Sequence, residues 1–217
     1  MLDVEEFMDK IETLKAEANV DEGWIQLMDE NNCAVFEKKL QEGKDSLLRC
    51  TLEIDLPPKH ANEMFFNTEV DCLEWKTELK AVENIEQTSE DDKLTRIQLN
   101  LPWAVKYLMS VPEWMTLRFI SRKNWPEDNH YAYACFPYDD EKKIPVEEVG
   151  AMKIKSGIIC PHPEDPNKCL ITSLDKVNLK YLPNFALKKM LKSTFSGKLH
   201  DMVNKYKKST VYTTIEQ

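Results

Sequence analysis

An amphipathic pattern near the C-terminus places the strongest constraint on the fold. Apolar side chains recur there every three or four residues, at Leu187, Leu191, Phe195, Leu199, Met202 and Tyr206. This spacing is typical of one long helix with a single apolar stripe, and Pro183 suits its first turn. We expect a helix over about residues 183–208, whose stripe is covered by another layer of structure.

Most of the chain before that helix has the pattern of β-strands. Short segments in which apolar and polar residues alternate are separated by turn-rich clusters. The predicted strands cover residues 24–28, 33–38, 47–55, 81–88, 93–101, 114–123, 129–136, 149–160 and 168–179. Two helical segments, 58–67 and 71–75, interrupt this series, and an amphipathic helix over about residues 2–18 precedes it. This order predicts one α+β domain over residues 1–217, in which an antiparallel sheet packs against the C-terminal helix.

Composition excludes several classes of function. The 217 residues include 5 glycines, which lie too far apart to form the glycine-rich loops that bind phosphate groups. A net charge of −9 argues against general binding to nucleic acid, which requires a basic surface. The histidines and cysteines form no metal-ligand or nucleophile motif. We therefore expect no metal, no cofactor and no enzymatic activity.

The cysteines and the first residues predict the compartment. The 6 cysteines include no CxxC pair and no regular spacing, which favours reduced and mostly buried thiols. The N-terminal residues are acidic and amphipathic, unlike the basic and apolar start of a secretory signal. We expect a cytoplasmic protein. Its apolar stretches are far shorter than the roughly 20 residues that cross a bilayer, so we expect membrane contact only at the surface.

Positive charge is concentrated near the C-terminus. Nine lysines and one acidic residue lie between residues 176 and 208, a local charge of +8, so the rest of the chain carries −17. A basic amphipathic helix is suited to binding an anionic membrane, and each lysine near the membrane surface contributes about 1 kcal/mol to the binding free energy. We predict that Lys188, Lys189 and Lys192 contact such a membrane. The alternative is a core-packing helix whose lysines are simply solvated.

The connection over residues 101–112 is unusually apolar for a segment between two strands. It contains Trp103, Val105, Leu108 and Met109. A solvated loop has few such side chains, so this segment either covers the core or contacts an apolar surface. The two interpretations agree if it covers a chamber for a ligand.

The predicted strand over residues 114–123 has large apolar side chains on both faces. Alternation places Trp114, Thr116 and Arg118 on one of them. A buried guanidinium is costly without a partner, so Arg118 lies at a sheet edge or faces an enclosed space with an acidic or ligand partner. Isolated polar groups on an apolar sheet face are typical of a cavity for an amphiphile, although an ordinary salt bridge explains Arg118 equally well.

Several short motifs occur in a distinctive order. They are Gly23-Trp24 at the first strand, Leu73-Glu74-Trp75 in the short helical segment, the residues from Ser110 to Arg118, and Leu182-Pro183 before the last helix. In order and spacing the chain resembles the START domains, lipid-transfer domains related to steroidogenic acute regulatory protein. The resemblance implies a helix-grip fold, in which a curved antiparallel sheet and the long C-terminal helix enclose a hydrophobic tunnel for one lipid.

The resemblance also implies which residues contact the lipid. They are Trp75, Trp114, Thr116, Arg118, Tyr133, Leu187, Leu191 and Phe195. Among them, Arg118 is expected to anchor a polar headgroup or hydroxyl. The apolar segment with Trp103, Val105, Leu108 and Met109 then becomes the gate of the tunnel. With such a tunnel we expect a monomer that binds a phospholipid, sterol or related amphiphile and makes transient contact with anionic membranes.

Two positions separate the chain from START members of known specificity. Arg118 matches the cavity arginine of sterol-binding members, whose acidic partner has no equivalent at Gln98, Leu99 or Asn100. Phosphatidylcholine-binding members have an arginine and an aspartate where this chain has Cys72 and Lys76. The class of lipid therefore stays open.

Three functions are compatible with this pattern. The first is binding of one lipid and its transfer between membranes. The second is an enzyme of the same architecture, a hydrolase or cyclase, which needs an acid, base or nucleophile with a perturbed pKa in the cavity. The third is a protein-interaction scaffold whose cavity is filled by side chains.

Overall fold

The computed structural model describes residues 22–30, 32–40, 45–101, 103–108, 110–149, 152–178, 188 and 199–215. The predicted N-terminal helix over 2–18 lies outside these residues, as does most of the predicted C-terminal helix before residue 199. The strands are β1 Trp24–Glu30, β2 Cys33–Lys39, β3 Asp45–Ile54, β4 Leu79–Ser89, β5 Asp92–Leu99, β6 Met115–Lys123, β7 Tyr131–Asp139, β8 Ile144–Pro145, β9 Met152–Pro161 and β10 Cys169–Asn178. The helices are α1 Pro58–Phe66, α2 Trp103–Leu108, α3 Leu199–Tyr206 and α4 Thr210–Ile215, and a short 3-10 helix covers Val70–Glu74.

The strands form one antiparallel sheet that is not closed. Its order is β1-β2-β3-β10-β9-β7-β6-β5-β4, and β8 pairs with β7 outside this path. Because β3 pairs with β10, the first three strands of the chain join the sheet beside its last strand. The nine strands predicted from alternation are present, with ends shifted by a few residues.

The pairing register gives the sheet two distinct faces. Tyr133 of β7 is opposite Gly157 of β9, and Gly157 is opposite Ser173 of β10. Ser173 is in turn opposite Cys50 of β3, so these side-chain positions share one face. The ring of Phe66 in α1 lies 4.4 Å from that of Tyr133. We call this side, against which α1 packs, the helix face, and the opposite side the outer face.

The largest apolar cluster lies between the helix face and the helical segments. Trp75 and Tyr206 are both 0% exposed, and their rings are 5.1 Å apart. The indole Nε1 of Trp75 donates a hydrogen bond to the carbonyl oxygen of Met64 at 3.0 Å. The bond satisfies the one polar atom of the buried indole, so Trp75 fastens the 3-10 helix to α1 and to the end of α3.

Helix α1 begins at a proline, as predicted, and ends under a buried lysine. Pro58 follows Pro57, and its missing N–H costs nothing in a first turn. At the other end, Lys76 Nζ donates hydrogen bonds to the carbonyl oxygens of Phe65 at 2.8 Å and Asn67 at 2.6 Å. These carbonyls have no partner within the helix, and a cation is favourable beside them.

Two predicted segments differ from the structure. The connection over residues 101–112 is not a loop throughout, because residues Trp103–Leu108 form α2. Its six residues contain neither glycine nor an internal proline, and Pro102 suits a helix start. The C-terminal helix, predicted to about residue 208, ends at Tyr206, and α4 follows. The hydroxyl of Ser209 donates to the carbonyl oxygen of Tyr206 and accepts from the N–H of Tyr212, which separates the two helices.

Candidate functional site

A group of polar side chains lies in the middle of the helix face. Gly157 allows it to form, because a Cβ at this position would lie 2.6 Å from the Tyr133 Oη and 2.7 Å from its Cζ. The tyrosine ring therefore lies across β9 and brings its hydroxyl toward Ser173 on β10. Burial raises the pKa of Tyr133 well above its ordinary value, and the polar interaction with Ser173 partly opposes this.

Asp175 and Lys155 extend this polar group along the sheet. They are direct partners across β10 and β9, and both lie on the helix face. Burial raises the pKa of Asp175 from 3.8 to about 6, because the carboxylate loses water, and the positive charge of Lys155 counteracts this increase. Among the residues that the structure describes, Asp175 Oδ1 is buried and has no hydrogen-bond partner. We call Tyr133, Ser173, Asp175 and Lys155 the inner polar cluster.

Apolar side chains and thiols surround the inner polar cluster. Leu48 is opposite Asp175 on β3 and is buried, as are Cys50 and Cys135. Burial raises the pKa of Cys135 to about 12 and that of Cys72 to about 11. These thiols are therefore protonated at neutral pH and lack the thiolate that a nucleophile requires. Cys50 Sγ lies 3.5 Å from Cys33 Sγ, in a buried thiol contact.

The structure separates Arg118 from Tyr133, with which the sequence analysis grouped it. Arg118 is opposite Phe136 of β7, whereas Tyr133 is opposite Ser121, so the two side chains are on opposite faces. Arg118 Nε donates to Asp92 Oδ1 at 2.9 Å, and its Nη2 donates to Asp92 Oδ2. Both side chains are close to nine-tenths buried. Arg118 thus has an acidic partner on the outer face, away from the inner polar cluster, and its role as a headgroup anchor stays a prediction.

The acidic partner of Arg118 was not identified from the sequence because it lies at the opposite end of the preceding strand. Residues 98–100 lie at the end of β5, whereas Asp92 is its first residue. In an antiparallel hairpin the start of one strand lies beside the end of the next, and Asp92 is opposite Ile120. The turn-rich residues before Asp92 are the sequence feature that could have indicated an acidic side chain beside the end of β6.

The other predicted lipid contacts that the structure describes lie away from the inner polar cluster. Thr116 shares the outer face with Arg118, and Trp114, just before β6, is 39% exposed. Trp75 is enclosed in the main core by Met64 and Tyr206. The structure therefore does not bring these residues to the inner polar cluster. Leu187, Leu191 and Phe195 lie outside the described residues.

Helix α2 presents two aromatic rings to solvent. Trp103 is 82% exposed and Tyr107 is 80% exposed, and their spacing of four residues places them on one side of the helix. Lys106 lies between them in sequence. The structure describes the backbone of Val105 and Leu108 within α2 but not their side chains, and Met109 lies outside the described residues. Lys188 is exposed. Lys189 and Lys192, like Met109, lie outside the described residues.

A cleft of about 240 Å³ opens between α1, the β4–β5 turn and β6. Its lining includes Glu63, Phe66, Asp91, Ser121 and Lys123. Most of these polar groups bond to each other or to a neighbour: the Ser121 hydroxyl, for example, donates to Asp91 Oδ1 at 3.1 Å. The ring of Phe66, which lines the cleft, is 4.4 Å from that of Tyr133.

Metal-ligand groups and membrane-spanning helices are both absent from the described part of the chain. Within it, no group of three or more histidine, cysteine, aspartate or glutamate side chains is placed to hold a metal ion. None of the helices in the described ranges is long and apolar enough to cross a membrane.

Comparison of sequences gives no relative: no protein-family model and no curated protein matches the chain. Comparison of structures, in contrast, finds similar proteins. Human STARD10 aligns with a TM-score of 0.68 at 14% identity, over 98% of this chain and 82% of that one. This chain has the START fold. Human StAR-related lipid transfer protein 5 gives the same TM-score and identity over 93% and 94% of the two chains. A STAR-related lipid transfer protein from Xanthomonas axonopodis gives 0.60 at 12% identity, over 86% and 99%.

The predicted resemblance to START domains is thus confirmed at the level of the fold, including the helix-grip architecture with its open antiparallel sheet. In this START fold, sequence reasoning identified Tyr133 of the inner polar cluster and missed Ser173, Asp175 and Lys155. A signal was present, because alternation along β10 places Ser173 and Asp175 on the same face as the buried Cys169 and Ile171. A carboxylate at an apolar position of a strand indicates a special role.

Proposed function

We propose that this protein is a cytoplasmic, monomeric lipid-binding protein that holds one lipid against the helix face and transfers it between membranes. The observation that carries the proposal is the inner polar cluster, a small set of polar groups on a largely apolar sheet face in a START fold. Sites for amphiphiles combine an apolar lining with a few polar groups in this way. Two of the similar structures, human StAR-related lipid transfer protein 5 and the STAR-related lipid transfer protein from Xanthomonas axonopodis, support the same function.

Binding alone accounts for such a function. Each methylene group of an acyl chain that leaves water contributes about 0.8 kcal/mol, so a long chain is held firmly without any reaction. Burial raises the pKa values of the Cys72 and Cys135 thiols, which disfavours these two residues as nucleophiles. The raised pKa values of Asp175 and Tyr133 are the kind of perturbation that the enzymatic alternative requires, so the lipid-binding and transfer measurements below decide between the two functions.

Exchange of the lipid requires contact with a membrane, and α2 is suited to it. Trp103 and Tyr107 are amphipathic aromatic residues, which prefer the interface between headgroups and acyl chains. Their exposure of 82% and 80% is otherwise unfavourable in water. We propose that α2 contacts the membrane beside the lysine-rich C-terminal segment, in which Lys188 is exposed.

Native mass spectrometry tests lipid binding. The protein is purified from lipid-containing cells, its mass is compared before and after solvent extraction, and transfer of each lipid class between liposomes is then measured. We expect one bound lipid and transfer of at least one class. If no lipid is present and no class is transferred, the proposal is wrong, and the alternative of a scaffold with a filled cavity gains support.

Membrane contact is tested separately. Replacement of Lys188, Lys189 and Lys192 by glutamate is expected to reduce binding to anionic vesicles, and added salt is expected to weaken binding of the unmodified protein. Replacement of Lys142, exposed in the turn after β7, is the matched control for a change of charge. Equal vesicle binding by the triple variant and the control contradicts the role of these lysines.

A further inference from the structure

The charges of the inner polar cluster do not satisfy each other. Asp175 and Lys155 are direct partners on neighbouring strands, a position in which Cβ atoms lie about 4.5–5.5 Å apart. Yet within the described residues Lys155 forms no ion pair, and Asp175 Oδ1 has no hydrogen-bond partner. Lys153, two residues away on β9, is different: its Nζ lies 3.0 Å from Asp45 Oδ2 and 2.9 Å from Glu147 Oε1.

Their surroundings leave both groups available on the helix face. Lys155 is exposed although it lies on an inner strand of the sheet, and Asp175 is partly buried. Leu48, opposite Asp175 on β3, contributes only a hydrocarbon side chain. On the other side Tyr133 and Ser173 interact with each other. An unpaired carboxylate oxygen in such a place is unfavourable until a donor reaches it.

We propose that Asp175 and Lys155 together bind the polar group of the lipid, and that this group both donates and accepts a hydrogen bond, as a hydroxyl or an N–H amide does. The carboxylate accepts the ligand's proton, and the ammonium donates to the ligand's oxygen. This inference rests on the proposed function and narrows it to lipids whose polar group has an O–H or N–H donor as well as an acceptor, such as those with a free hydroxyl or amide. A phosphocholine headgroup has no N–H or O–H, so it leaves Asp175 without a donor.

The test compares lipids that differ in this property. The protein is incubated with phosphatidylcholine vesicles that also contain ceramide, diacylglycerol or cholesterol, one at a time. It is then separated from the vesicles, and the bound lipid is quantified by mass spectrometry. We expect at least one of the hydroxyl lipids to be bound in preference to the phosphatidylcholine that surrounds it.

Variants assign the preference to the two residues. Asp175→Leu removes both carboxylate oxygens, and Lys155→Met removes the ammonium with little change in size. Each is expected to reduce uptake of the hydroxyl lipid about tenfold or more, the loss typical of one charged hydrogen bond. Asp175→Asn keeps an oxygen acceptor without the charge and is expected to give an intermediate loss. Asp201→Asn and Lys142→Met change exposed charges and serve as matched controls.

The outcomes separate this inference from the proposed function. If hydroxyl lipids are bound but Asp175→Leu and Lys155→Met equal their controls, the assigned site is wrong and lipid binding stands. If phosphatidylcholine is the preferred lipid, the assigned chemical class is wrong and lipid binding again stands. If the unmodified protein binds no lipid of any class, the proposed function fails, and this inference fails with it.

Discussion

Replacement of Asp175 by asparagine is expected to stabilise the protein at neutral pH. Burial raises the pKa of this carboxyl from 3.8 to about 6. Each pKa unit corresponds to about 1.36 kcal/mol, so the ionised carboxylate lowers the free energy of unfolding by about 3 kcal/mol. An uncharged amide of the same shape does not carry this penalty.

The direction of the pH dependence follows from the same values. A carboxyl whose pKa is higher in the folded state binds its proton more tightly there, so stability from this group rises as the pH falls. The penalty is complete above the folded pKa of about 6 and disappears below the unfolded value of 3.8. The advantage of Asp175→Asn over the unmodified protein is therefore largest near pH 7.5 and close to zero near pH 4.

Urea unfolding followed by circular dichroism measures this difference. Midpoints and slopes are recorded for the unmodified protein and for Asp175→Asn at several pH values between 4 and 7.5, without added lipid. Asp201→Asn is the control, because Asp201 is exposed and forms a helical ion pair with Lys205 at 2.8 Å. We expect the difference in unfolding free energy to change by about 3 kcal/mol for Asp175→Asn and by much less for the control.

One result refutes the reasoning directly. If the stability difference between Asp175→Asn and the unmodified protein is the same at pH 4 and pH 7.5, the carboxylate is not destabilised by burial. The unpaired oxygen on the helix face would then be well solvated, and the case for a ligand donor at this position would lose its basis.

Three further predictions concern α2, the outer face and β9. Changing both Trp103 and Tyr107 to alanine is expected to weaken vesicle binding about tenfold or more with an unchanged melting temperature, because both rings are solvent-exposed; equal vesicle binding contradicts membrane contact through α2. Arg118→Ala is expected to lower the free energy of unfolding by about 3 to 5 kcal/mol, because it leaves Asp92 buried and unpaired. The amount of bound lipid in native mass spectra is expected to stay the same. Loss of the lipid would instead support Arg118 as the headgroup anchor. Gly157→Ala is expected to cost about 1 to 3 kcal/mol in urea unfolding, since its Cβ would lie 2.6 Å from the Thr172 carbonyl oxygen; an unchanged midpoint contradicts the close approach.

The sequence predicted the strands well because their alternation is a local property. β10, for example, alternates through Cys169, Ile171 and Ser173 on one face, and the proline-rich turn cluster at residues 161–167 precedes it. Helix α2 was harder to predict, since its six residues span fewer than two turns and no apolar period can be established over so short a segment.

The candidate site was less predictable, because it depends on register. Arg118 and Phe119 are neighbours, yet they are on opposite faces of the sheet, and the alternation in β6 does not say which face the helices cover. The pairing of β6 with β7 settles this by placing Phe119, opposite Cys135, on the side of Tyr133. No local pattern contains that information, since the strands are joined by a turn whose length sets the register.

The two charged pairs on the sheet illustrate how position changes the meaning of a charge. Arg118 and Asp92 are held by two hydrogen bonds on the outer face, so each neutralises the other and neither is available to a ligand. Asp175 and Lys155 are direct strand partners on the helix face, yet within the described residues they form no ion pair and Asp175 Oδ1 has no hydrogen-bond partner. Burial disfavours such a carboxylate, and a sequence selected for stability alone would replace it with an apolar residue. Its presence opposite an unpaired lysine is therefore best explained by a third partner that joins them, which is the polar group of a bound lipid in our proposal.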